Sequence, residues 1–189
     1  MQPSLQFCPH RAVASQELSA LLDLCFGPDR HLKTASRIRD HASRIDSASF
    51  MAVAATDGRL LGSVECWNIC WQSALLSQPM ALLGPLAAHP DMRRLRIGMQ
   101  LMDRALAELD RLQLPVMLIG DEPYYGRWGF SAEHTSQWQL PGPVERHRLL
   151  FRCAEGSRFD SAANIAGDRA AIAAATGCNP KPDGTALSA

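Results

Sequence analysis

The sequence predicts an α/β fold, on three observations. The run 81–88 is apolar and of buried-strand length, residues 97–112 place Ile97, Leu101, Ala105 and Leu109 at helical i, i+4 spacing, and 115–119 is a second apolar run. Strand, helix, strand over about 40 residues is a crossover joining two parallel strands, right-handed in ~98% of cases. Upstream, the strand-like runs 50–55 and 60–69 flank the hairpin signal Asp57-Gly58. Downstream, 137–140 and 148–152 read as two closing strands.

The remaining elements follow in chain order. Residues 5–8 read as a short edge strand, limited by Pro3 and Pro9. Ser15 is placed as an N-cap with Glu17 in the first turn, and Leu18, Leu21, Leu22, Cys25 and Phe26 mark the apolar face of a helix that Gly27-Pro28 stops. A basic connection containing Arg30, His31 and Lys33 follows, and Thr34 caps a second helix expected to reach about residue 44. On the strand 60–69, Leu61, Ser63, Glu65, Trp67 and Ile69 share one face by period two, which puts the Glu65 carboxylate on a strand next to the crossover, placed to activate an acceptor. The plainer alternative for Glu65 is an ordinary exposed strand position.

The helix of the crossover begins among cations: His89-Pro90-Asp91-Met92-Arg93-Arg94-Leu95-Arg96-Ile97-Gly98. A helix N-terminus carries roughly half a positive charge, so each nearby cation is unfavourable by about 0.3–1 kcal/mol. Arg93, Arg94 and Arg96 therefore point to an anion, with the free N–H groups of the first turn and the close approach allowed by Gly98 making a phosphate site. A solvated basic loop is the plainer reading. After the second strand, Asp121 and Glu122 leave the strand end, Pro123 breaks it, and Tyr124-Tyr125 open a short turn before Gly129-Phe130.

Composition bounds the function. The 189 residues are 47% hydrophobic, enough for one domain with a core. Zero net charge provides no global field to recruit nucleic acid or an anionic membrane, and no run approaches the ~18 apolar residues of a membrane span. Six cysteines (Cys8, Cys25, Cys66, Cys70, Cys153, Cys178) contain no C-x-x-C pair and read as reduced thiols, consistent with a cytoplasmic location. Cys66 and Cys70 stand too far apart along a strand to share a metal without a bend, so no metal is expected. Beyond residue 153 the composition shifts: 162–175 is alanine-rich and reads as one helix ended by Gly177, and 179–184 reads as disordered.

The loop at Arg93–Gly98 together with Leu83-Gly84-Pro85-Leu86-Ala87-Ala88-His89-Pro90 and Gly120-Asp121-Glu122-Pro123-Tyr124-Tyr125-Gly126-Arg127-Trp128-Gly129-Phe130 resembles the GNAT superfamily of N-acetyltransferases, in particular its YhbS-like branch. Over roughly residues 1–153 the resemblance implies one acetyltransferase domain of the mixed α/β (α+β) GNAT fold, with 154–189 as a C-terminal extension. In that family an Arg/Gln-x-x-Gly-x-Gly/Ala loop between the fourth strand and the following helix holds the coenzyme A pyrophosphate. Arg93 matches its first position and Gly98 its last, while Arg96 stands where the first glycine belongs.

Further expectations follow from the resemblance. Acetyl-CoA would be the donor, held at Arg93, Arg94, Leu95, Arg96, Ile97, Gly98 and Met99, with backbone groups of Leu86, Ala87 and Ala88 on the pantetheine arm and thioester; Pro85 has no N–H to give. Tyr125 stands four residues before Gly129, as the family's general-acid tyrosine does, with Tyr124 as the fallback. A phenol with a reference pKa near ~10 stays protonated at neutral pH and can donate to a departing thiolate. The base is Glu65, His89 or Asp121 acting through water. The connection between the first two helices borders the acceptor site in the family, a role weighed against a solvated turn for Arg30, His31 and Lys33. The acceptor is a small-molecule or peptide amine, and a homodimer remains open. The alternative function is a weakly active or inactive GNAT-fold protein that binds acyl-CoA in regulation, which a side chain at Arg96 would favour. A Rossmann nucleotide site is excluded, because no G-x-G-x-x-G follows a strand.

Overall fold

The structure, a computed structural model, describes residues 4–10, 15–153, 159 and 162–168. Among these, nine strands form one sheet: β1 (Leu5–Pro9), β2 (Ser43–Arg44), β3 (Phe50–Ala54), β4 (Leu60–Gln72), β5 (Ser77–Ala88), β6 (Val116–Ile119), β7 (Trp138–Gln139), β8 (Leu149–Arg152) and β9 (Ala163–Gly167). Four α-helices accompany it: α1 (Ser15–Phe26), α2 (Thr34–Arg39), α3 (Ile97–Arg111) and α4 (Glu122–Tyr125).

The path β1-β3-β4-β5-β6-β8 is antiparallel except for β5 and β6, which are parallel and joined through α3. The expected crossover is therefore present. One edge of β4 is shared by three short strands in succession, β3, β2 and β9, while its other edge carries β5 throughout.

Period-two alternation divides the core into two faces. Ala81 and Leu83 of β5, Val116 and Leu118 of β6 and Leu150 of β8 pack with Ile97, Leu101, Ala105 and Leu109 of α3. Their neighbours Met80, Leu82, Met117, Leu149 and Phe151 pack on the opposite face with Ile38 of α2. Leu21 and Leu22 of α1 cover Met51, Leu60 and Ala87 on that same face. So α3 lies on one side of the sheet, and α1 with α2 on the other.

Three expectations need correction. The second helix ends at Arg39, not near residue 44, because Ser43 and Arg44 pair with Asn68 and Trp67 as β2, and the Ser43 N–H and Oγ both donate to Asp168. Leu61 does not share a face with Ser63 and Glu65: the β3–β4 register slips between Ala52–Gly62 and Val53–Leu60, and Leu61 turns into the α3 side of the core. The alanine-rich stretch 162–175 is not one helix, since Ala163–Gly167 is strand β9, antiparallel to β4 and parallel to β7. Alanine's helix propensity loses there to packing: Ala163 and Ile165 are buried, and a Cβ on Gly167 would stand 2.1 Å from the His41 carbonyl oxygen. Residues 169–175, with 179–184 and Cys178, lie outside the described residues.

Candidate active site

The site begins where two strands part. Pairing of β5 with β6 covers Ala81–Val116 and Leu82–Met117 and extends no further. Just past that point β5 bulges: Cys66 faces Leu83 and Val64 faces Leu86, so β5 spends one residue more than β4. The bulge falls at Gly84-Pro85, where Gly84 takes φ +131°, a conformation that favours glycine. Beyond it the ladder with β4 resumes, and His89 N–H donates to Leu61 O at 2.8 Å. Strand alternation then turns the Ala87 amide toward β4 and the Leu86 and Ala88 amides toward the edge that β6 has left open. Of the three backbone positions expected to hold a donor, Leu86 lines the gap and Ala87 and Ala88 do not, the Ala88 carbonyl accepting from Cys25 Sγ at 3.5 Å.

A cleft of about 620 Å³ occupies this gap, floored by Leu82–Leu86 of β5 and by Leu118 and Ile119 of β6. Tyr125 lines it. α4 is set by Asp121, whose carbonyl accepts from both the Tyr124 and Tyr125 N–H groups at 2.9 and 3.1 Å. Room for the Tyr125 ring depends on Gly120, because a Cβ there would stand 2.3 Å from Tyr125 Cε2. Burial, with smaller contributions from Tyr124 and Asp121 and against the opposing charge of Arg148, pushes the Tyr125 phenol up to about 12. It is a neutral hydroxyl at physiological pH.

Tyr124 turns the other way, toward α3. Its ring meets that of Tyr125 edge-on at 4.8 Å, and its hydroxyl lies 3.4 Å from where a Cβ on Gly98 would be. Burial raises its pKa as well, against Arg127. Trp128 Nε1 donates to Asp103 of α3 at 2.7 Å, so the aromatic turn is tied to that helix. The pair Tyr124-Tyr125 thus spans from the cleft to the start of α3.

At that start the backbone answers the question posed by Arg96. Residues Pro90–Leu95 form a 3-10 turn, and Arg96 is the N-cap of α3 at φ 48°, ψ 38°, the left-handed region where glycine is at ease. The loop keeps the geometry of a glycine position with an arginine in it. No side chain caps the helix, which leaves first-turn amides free, and Arg93, Arg94 and Arg96 are exposed without an ion partner among the described residues. Ile97 is buried under the sheet, while Leu95, Gly98 and Met99 are half-buried.

Glu65 is placed differently from an exposed strand carboxylate. It is 7% exposed on the α1–α2 face, and its Oε1 lies 3.1 Å from Nε2 of buried His10, without hydrogen-bond alignment. It does not line the cleft. Above it stands Arg39 of α2, which does line the cleft; burial pushes that guanidinium's pKa down, opposed by the charges of Glu65 and Asp40. His89 accepts from the Asp91 N–H through its own ring and is turned away from the cleft.

The α1–α2 connection closes the outer wall. Arg30 and Lys33 line the cleft and His31 does not. Arg30 is anchored to Asp23 at 2.7 Å and Ser19 at 2.8 Å, and Lys33 Nζ donates to Phe26 O at 3.3 Å. Across the cleft, Arg148 Nε lies 3.0 Å from Asp121 Oδ1. Thr34 Oγ1 donates to Pro143 O at 2.5 Å and holds the loop before β8 over the opening. Sequence reasoning did not find Arg39, Arg148 or His10. Each looks like an isolated polar residue until the fold gathers them.

Among the described residues no group of three or more His, Cys, Asp or Glu could hold a metal ion, and no helix is long and apolar enough to cross a membrane. Among the described residues, Cys8, Cys25, Cys66 and Cys70 are free thiols.

Residues 15–130 match the acetyltransferase (GNAT) family profile. No curated protein matches the chain in sequence. In structure it is similar to the GNAT family N-acetyltransferase YhbS from Escherichia coli in complex with CoA (TM-score 0.70, 18% identity, 88% of this chain and 91% of that one). It is also similar to a GNAT family acetyltransferase from Brucella melitensis in complex with acetyl-CoA (TM-score 0.60, 20% identity, 87% and 96%). An acetyltransferase of the GNAT family from Staphylococcus aureus overlaps less closely (TM-score 0.52, 14% identity, 79% and 98%).

Proposed function

Because the chain belongs to the acetyltransferase (GNAT) family, we propose that it is an N-acetyltransferase, moving an acetyl group from acetyl-CoA to a primary amine. The observation that carries the reading is the parting of β5 from β6 with Tyr125 standing in the gap. The donor fits what is present there: free amides and uncompensated arginines at the start of α3 suit a pyrophosphate, and an open strand edge suits an amide-bearing arm.

Each residue then has a task. The first-turn amides of α3, at Ile97, Gly98 and Met99, with Arg93, Arg94, Leu95 and Arg96 around them, hold the phosphates. The Leu86 and Ala88 N–H groups point where the arm and the thioester oxygen would lie, stabilising charge as it builds on that oxygen. The amine nitrogen attacks the acetyl carbon, the C–S bond breaks, and the Tyr125 hydroxyl gives its proton to the departing sulfur. Glu65, buried and not itself lining the cleft, takes the amine proton through an intervening water. The left-handed backbone of Arg96, a conformation at which glycine is at ease, supports the enzyme reading over the regulatory one.

The test is release of free CoA from acetyl-CoA against a panel of primary amines and peptide N-termini. Amine-dependent release above the hydrolysis background is expected. Acetyl-CoA that neither binds nor turns over with any member of the panel would overturn the reading.

A further inference from the structure

The cations on the two faces of the sheet form two groups, and the donor accounts for only one. Arg93, Arg94 and Arg96 sit at the start of α3, on one face of the sheet. On the other face, the α1–α2 connection and the loop before β8 bring Arg30, Lys33, Arg39 and Arg148 to the cleft, which Arg93, Arg94 and Arg96 do not line. Against these four cations, Glu145 is the one carboxylate among the described residues lining it. Arg30 is held by hydrogen bonds to Asp23 and Ser19, which fixes where its remaining N–H groups point, while Arg148 stands beside Asp121 without hydrogen-bond alignment. Arg39 forms no ion pair among the described residues; its nearest negative charges, Glu65 and Asp40, act from beyond contact distance. A half-buried guanidinium without a partner is costly, and five fixed donors make it a fork for a carboxylate or phosphate. Phe26 and Leu32, both exposed and apolar, line the same wall beside these cations.

We propose that the acceptor is an anionic amine, a compound carrying a carboxylate or phosphate near its primary amine and an apolar group beyond it, with Arg39 as the anion fork between Arg30 and Arg148. This rests on the acetyl-transfer reading and narrows it. Polyamines and lysine side chains in basic peptides are then poor acceptors, because a second positive charge would enter a cationic wall. Lys33 and Arg148 add attraction without being required. Phe26 and Leu32 select for an apolar substituent, so that a free aromatic or branched aliphatic amino acid fits better than glycine.

The experiment measures affinity of product analogues for the CoA-loaded protein by calorimetry. One pair is N-acetylphenylalanine against N-acetylphenylalanine amide; the other is N-acetyl-O-phosphoethanolamine against N-acetylethanolamine. The charged member is expected to bind at least tenfold more tightly in one pair, and which pair responds distinguishes carboxylate from phosphate. Arg39→Gln should abolish that preference and Arg39→Lys should keep part of it, with melting temperatures measured to show that both are folded. If Arg39→Gln does not fold, Arg30→Gln is expected to weaken the same preference. Equal binding of charged and neutral members, no binding of either, tighter binding of N-acetylspermidine, or a preference untouched by the folded variant would each overturn the proposal. Acetyl-CoA binding by the same preparation separates the cases: if the donor binds and the preference is absent, the anion site falls alone, and if the donor does not bind, acetyl transfer falls with it.

Discussion

Replacing Tyr125 by phenylalanine removes one hydroxyl and leaves the ring for which Gly120 makes room. Turnover is expected to fall 10²- to 10⁴-fold, the usual range for a general acid, while the dissociation constant for acetyl-CoA stays within about twofold. Steady-state turnover and calorimetry on the variant check both halves. With the phenol held up to about 12 by burial, its acidic form persists across the assay range, so no basic limb below that pH belongs to Tyr125. Arg96 gives a prediction of the opposite kind. A left-handed non-glycine residue costs about 1–2 kcal/mol, and glycine returns part of that through unfolded-chain entropy, so Arg96→Gly should stabilise the fold by up to about 1 kcal/mol. A raised denaturant midpoint at unchanged slope is the expected result. Both positions were legible in the sequence because their signals are local: the tyrosine by its spacing from Gly129, the arginine by the motif it interrupts. Arg39 was not. Nothing on a short polar helix announces that a loop from the far end of the chain will close over it.

At the scale of elements, α3 was the easiest to read, and the proposed phosphate site lies at its start. Its apolar stripe, Ile97 to Leu109, specifies both the helix and the face it buries. Arg93 at its approach is exposed and has no ion partner among the described residues, so its charge is available to a phosphate. Arg93→Ala is expected to weaken CoA binding at least tenfold, the effect of losing one charge-assisted hydrogen bond of about 1.5–3 kcal/mol, and to flatten the salt dependence of affinity. Calorimetry at two ionic strengths would show it; equal affinities for variant and parent would remove Arg93 from the site. The strands were harder. The bulge at Gly84-Pro85 decides which amides face the gap, yet in sequence Gly-Pro signals only a break in a run. Helix α2 was overextended in prospect because the pairing that ends it, β2 with β4, joins distant parts of the chain.

For the whole molecule, the least expected feature is the return of the chain after β8. Phe159 packs against Trp71 and Phe151 with ring centroids at 5.3 and 5.0 Å, its carbonyl accepts from Trp138 Nε1, and β9 then adds to β4. Phe159→Ala should cost about 3–5 kcal/mol of stability, as for other buried aromatics, which chemical denaturation would detect directly. A composition rich in alanine concealed this, since propensity is local and the partner strand is not. The sheet itself acts as a partition, with α3 on one side, α1 and α2 on the other, and a single interruption where β5 leaves β6. On the proposed function, donor and acceptor approach from opposite sides and meet there without either obstructing the other's route. Such an arrangement has no use for an acetylated protein intermediate. Initial rates with both concentrations varied should give intersecting double-reciprocal lines, the signature of a ternary complex; parallel lines would mean that the acetyl group pauses on the protein.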